Sequence, residues 1–252
     1  MSDAETEPPP ALPEETPPVE IHKPKPVHSW RELATELGIV VLGICIAISL
    51  EQFVEYLHWH SEVQIGRRAL AEEIAVTDKF YARRVLIAPC MDRHLDEGAV
   101  RIRDLAAGRK AAPQPIIPGS SSPGALLSDA EWQSERSSQT LTHFPRAELA
   151  LMSRFYAQMG DIREWLLEEE RSLSALLVLA DDPGHLGPAD LAQLRVNLNT
   201  ARMLNYLIVL NARRQLEVSA QLGIRYPRSL ADFAGPIARW CKPGEKLGKL
   251  PD

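Results

Sequence analysis

Seven histidines and three cysteines are the residues of this 252-residue chain whose types most readily support metal or redox chemistry. His58 and His60 stand two apart on a predicted helix, about 200° around its axis, so they cannot face one ion together. His94 and Glu97 have the i, i+3 spacing of a ligand pair in a di-metal helical bundle, but such a site needs that motif twice with further carboxylates, and no second copy occurs. Cys45, Cys90 and Cys241 form no CxxC pair, so neither zinc nor a redox dithiol is indicated. GxSxG, GxxxxGK[ST] and GxGxxG are absent, and Ser120 to Ser122 lie in a Pro/Gly-rich stretch that reads as linker. No nucleophile, base and orienter can be named as a set. The sequence therefore predicts a non-enzymatic protein with no catalytic residue, metal or cofactor.

Three polar features remain. Glu169 interrupts an apolar seam, where pairing with Arg195 or Arg202 would set helix register. Asn197, Asn199, Asn205 and Asn211 recur along the next helix and are placed for interhelical hydrogen bonds; a ligand pocket lined by Arg202, Asn205 and Tyr206 is the alternative. Glu36 and Glu51 flank an apolar stretch, where anchoring at an interface or proton relay is open to them.

The elements that must position these residues begin with that stretch. Leu37 to Leu50 carries no charge, and Leu33 to Leu57 gives 25 residues, about 37 Å of helix, enough to cross a bilayer. Trp30 before it and Tyr56 and Trp59 after it are expected as interfacial anchors. Ala34 with Gly38, and Gly43 with Ala47, are small-xxx-small pairs that would let a second helix approach, so self-association or docking to another membrane protein is expected. A buried helix of a soluble protein and a signal peptide cleaved near Ala47-Ile48-Ser49 are the competing readings, the second weakened by a proline-rich, acidic leader. Ile44 stands where a lipoprotein box needs a small residue before Cys45.

Lys23, Lys25 and Arg31 precede the span and Arg67 and Arg68 follow it, a bias that places the N-terminus in the cytoplasm. Cys90 and Cys241 would then lie in an oxidising compartment, where one disulfide is expected; two separate thiols are the alternative.

Residues 1–28 hold eight prolines, no glycine, and six acids against Lys23 and Lys25, a balance of −4 within a net charge of −6. Residues 1–29 are expected as a disordered tail. The near-neutral remainder lacks the basic excess of a nucleic-acid binder. The transmembrane segment is expected over 30–57 and a helical domain over 58–252. In that domain a first helix should end at Pro89 and a shorter one run over 91–107 to Gly108; Ser128 or Asp129 should cap the next. From Pro145, Met152, Phe155, Met159, Ile162, Leu166, Glu169, Leu173, Leu176 and Ala180 alternate steps of three and four, and Leu191, Leu194, Leu198, Ala201, Asn205, Ile208 and Ala212 repeat the pattern after a tight link over 181–188. The fold class is all-α: a transmembrane helix continuing into an extramembrane bundle with a long antiparallel hairpin.

Trp30-Arg-Glu, Glu36 to Ala47, Glu51-Gln52, Glu55 and Leu57-His-Trp-His60, followed by Pro89-Cys90, Asp92-Arg93, Trp132, Leu141 to Pro145, Leu204-Asn205, Leu222 to Ile224 and Cys241, resemble an uncharacterised family of bacterial single-pass inner-membrane proteins. Cys45 departs from the aliphatic or small residue expected there. The resemblance covers most of residues 30–241 and implies a helical periplasmic domain, with no assigned activity. The expected role is an envelope scaffold or accessory subunit, with the lipid bilayer and a protein partner or second copy as binding partners. A periplasmic small-ligand sensor or transport accessory, or a proton-coupled membrane subunit, is the alternative.

Overall fold

The computed structural model describes residues 29–109, 127–180, 185–226 and 229–251. The described chain is all-α, with helices α1 (Trp30–Ala106), α2 (Ala130–Ser137), α3 (Arg146–Leu176), α4 (Pro188–Gln221) and α5 (Ala234–Trp240), short 3₁₀ turns, and no strand among the described residues. It divides into two compact units after Val54. The expected tail over 1–28, the linker serines and residues 181–184 of the tight link lie outside the described residues.

In the first unit, Ser29 starts α1 by accepting the Glu32 N–H at Oγ (3.3 Å). Every residue from Trp30 to Val54 is exposed. The hydroxyls of Thr35 and Ser49 fold back onto the carbonyls of Arg31 (2.9 Å) and Cys45 (2.7 Å), so these polar groups are satisfied inside the helix.

In the second unit, Leu70, Ile74, Tyr81 and Val85 of α1 are fully buried, on the face that the periodicity marks. They pack with Phe155, Met159 and Ile162 of α3 and Ile208, Ala212 and Leu216 of α4 in one core cluster, while Met91, Leu95 and Ile102 meet Leu173, Leu176, Leu194 and Leu198 in a second. Early α3 faces late α4, shown by the Gln215 side chain donating to the Phe155 carbonyl at 3.0 Å, so the hairpin is antiparallel.

Local chemistry sets the helix ends. Pro145 stands one residue ahead of α3, its carbonyl accepting the Leu149 N–H at 2.9 Å. Pro188 opens α4, and the Asp190 carboxylate accepts the Gly187 N–H at 2.9 Å. All seven seam positions of α4 are buried, as are those of α3 through Leu176. Ala180 is not: the 3₁₀ turn Leu177–Leu179 changes the phase, and Leu179 enters the core instead.

The expected break at Pro89 is corrected. α1 passes through it and ends at Ala106, with Gly108 left-handed (φ 66°) and the Arg109 N–H closing back on Asp104 at 2.9 Å. Pro89 has no N–H for the Val85 carbonyl, which would ordinarily end or kink a helix. A segment far away in sequence packs against this turn: the Gly248 N–H donates to the neighbouring Leu86 carbonyl at 2.9 Å.

Candidate functional site

Chemistry-bearing residues concentrate around Pro89. Cys90 is disulfide-bonded to Cys241, 151 residues away, which brings the C-terminal segment onto α1. Arg93 bonds Glu245 (2.7 Å) and Glu97 (3.0 Å), and Lys242 reaches the same Glu97 (3.0 Å). Burial by itself would raise the Glu97 carboxyl, but the hydrogen bonds and charges of Lys242 and Arg93 together outweigh it and hold the group below its ordinary value; Glu245 is lowered chiefly by its hydrogen bond from Arg93. The His94 ring donates from Nε2 to the Trp240 carbonyl at 2.9 Å, and burial lowers its basicity. The C-terminal segment is thus a strap, fastened along α1 from Leu86 to Glu97.

Beside the strap lies a buried polar chain. Glu169 does occupy the seam, 1% exposed, but neither Arg195 nor Arg202 is its partner. Arg84 of α1 pairs with it, and the same guanidinium donates to Asn205 Oδ1 (3.0 Å) and to Met91 Sδ (2.6 Å). Burial pushes the Glu169 carboxyl up and Arg84 pulls it down, with a net rise. Asn205 completes the chain by donating from Nδ2 to Asp92 Oδ1 at 2.6 Å. Arg202 sits on the outer side, paired with Asp96 at 2.5 Å, while Arg195 is exposed. The reason is geometric: the third helix of the bundle, α1, faces the seam between α3 and α4 and supplies the cation, whereas Arg195 and Arg202 flank that seam.

Asn205 and Tyr206 open onto a cleft of about 340 Å³ over Ala88 and Pro89, in which Arg213, not Arg202, is the basic group. The cleft combines an acid, a base and an amide with an apolar wall, an arrangement suited to holding a ligand.

A separate buried acid lies along the same helices. Asp78 is fully buried, its Oδ1 accepting the Ser219 hydroxyl at 2.9 Å and its Oδ2 without a hydrogen-bond partner. Burial pushes this carboxyl up to about 7. Glu73, also missed by sequence reasoning, accepts the Tyr156 hydroxyl (2.8 Å) and the first-turn N–H groups of Glu131 and Trp132, docking α2 on the bundle.

The remaining expected positions stay apart from this cluster. Ala34, Gly38, Gly43 and Ala47 are exposed, and a Cβ added at Gly38 or Gly43 would meet nothing within 4 Å. Trp30 and Tyr56 are exposed, but Trp59 is half-buried, stacked on His143 with ring centroids 3.9 Å apart. Its indole belongs to the bundle as well as to any interface. Among the described residues, one group of three ligand types lies close enough for a metal, namely Cys90, Cys241 and Glu245, and its two sulfurs are joined to each other, leaving no thiolate to coordinate. Comparison with family models, curated proteins and solved structures finds no match for the chain.

Proposed function

We propose that this chain is a non-enzymatic single-pass protein of a bacterial inner membrane, N-terminus cytoplasmic and helical domain periplasmic, serving as an envelope scaffold or accessory subunit that binds another protein or a second copy through its membrane helix. One observation carries the reading: the helix has an apolar stretch long enough to cross a bilayer, uncovered by any described residue, with two small-residue pairs open on its surface. A soluble protein would bury such a stretch or aggregate. The disulfide supports an oxidising compartment for the domain. Site-specific photo-crosslinking from Val40 in intact membranes tests the role. A discrete adduct that is lost on Gly43→Ile supports it; a helix that crosslinks only to lipid contradicts it.

A second reading is favoured by the cleft over Pro89: the same accessory protein responds to a small ligand held between α1 and α4, since Asn205 and Tyr206 line a cavity beside the filled seam.

A further inference from the structure

We propose that the groove over Pro89 binds a single-chain amphiphile, an anionic head on an aliphatic tail, with Arg213, Lys246 and Lys249 holding the head. This rests on the ligand-responsive reading and names its ligand class.

Two adjacent hollows, of about 460 and 340 Å³, share Pro89 and Arg213 in their linings, and each is of the size that takes small molecules. In the first, the strap supplies Leu247, Leu250 and Pro251 as apolar surface, and Lys246 and Lys249 join Arg213 against a single acid, Glu217. The three cations make no ion pair or hydrogen bond among the described residues. Other basic groups that border the core are engaged, Arg84 on Glu169, Arg93 on Glu245 and Arg163 on Asp129 among them. Three unengaged cations at one hollow attract an anion, and the surrounding hydrocarbon surface selects one with an apolar body.

The second hollow gives that body its course. Ala88, Val209 and Leu210 line it, and Tyr206, 66% exposed, lies along it. The acid there, Asp92, already accepts the Asn205 amide, so a cationic head gains less at this end than an anion gains at the other. The Gly248 hydrogen bond to Leu86 and the Cys90–Cys241 link hold the strap residues that carry two of the three cations.

The test uses the full chain in lipid nanodiscs, titrated calorimetrically with decanoate, decyl phosphate and decyltrimethylammonium against empty discs. The expected result is one saturable site per chain for decanoate or decyl phosphate, weakened at least tenfold by Arg213→Gln/Lys249→Gln and abolished by Val209→Trp, with circular dichroism showing both variants folded. Preference between the two anions separates a carboxylate source from a phosphate source. Equal binding of decyltrimethylammonium, or binding unchanged in the double glutamine variant, overturns the anion assignment while a ligand still occupies the cleft. No saturable binding of any probe overturns the proposal; if decanol also shows no component removed by Val209→Trp, the ligand-responsive reading falls with it.

Discussion

The backbone N–H of Gly248 donates to the carbonyl of Leu86 at 2.9 Å, three residues before Pro89 on α1. The strap thereby seats beside the proline turn of α1, and Gly248 lies so close that an added Cβ would fall 2.0 Å from the Val85 oxygen. Gly248→Ala is expected to lower stability by about 1–3 kcal/mol, the usual range for overpacking. Gly235→Ala, in open space within α5, should cost nothing. Thermal unfolding of the purified chain, followed by circular dichroism, compares the two.

The Cys90–Cys241 link closes a separation of 151 residues, so Cys90→Ser/Cys241→Ser should cost about 2–4 kcal/mol. Protein taken directly into alkylating buffer from membranes should carry one modifiable thiol, Cys45, before reduction and three after it. Mass spectrometry of the alkylated chain reads both numbers.

Arg84 and Glu169 are each almost wholly buried and bonded to each other. Glu169→Leu alone should destabilise by about 3–5 kcal/mol, because it leaves the guanidinium uncompensated, whereas Arg84→Met/Glu169→Leu should recover most of that loss. A double-mutant cycle by denaturant unfolding measures the coupling. Arg202→Met, which removes only the outer pair with Asp96, should cost under about 1 kcal/mol.

Asp78 gives the domain a pH dependence of defined sign. Its carboxyl is pushed up to about 7 by burial, against the opposing hydrogen bond from Ser219. In the unfolded chain it ionises near 3.8. The folded state thus binds the extra proton between those values, and stability falls as pH rises from about 4 to 7, by on the order of 4 kcal/mol. Asp78→Asn should be more stable than the parent at pH 8 and equal to it below pH 4. Unfolding midpoints measured across that range check both ends.

Repeating apolar spacing made the hairpin legible: the seam residues of α3 through Leu176 and of α4 from Leu191 to Ala212 are the buried ones, and Glu169 stands among them. Its partner was not legible, because Arg84 lies 85 residues earlier on another helix and charge spacing within a hairpin cannot reach it. A signal did exist. Asp78 and Arg84 fall inside the stripe set by Ile74, Tyr81 and Val85, where an ionisable residue has to find a partner or shift its proton affinity. The local rule makes Pro89 a terminator, whereas α1 runs through it with the strap packed on that turn, a contact that no local pattern carries. The place of Trp59 after the apolar run marks it as an anchor, and its stacking on His143, 84 residues later, leaves no local signal.

The central claim is that α1 crosses the membrane and delivers the bundle to the periplasm. Fusing alkaline phosphatase and, separately, green fluorescent protein to the C-terminus in a Gram-negative host, and reading both in membrane fractions, tests it most directly. The account predicts active phosphatase and dark fluorescent protein, both in membranes. Bright fluorescent protein in membranes would contradict the orientation, and the same signal in the soluble fraction would contradict the span itself.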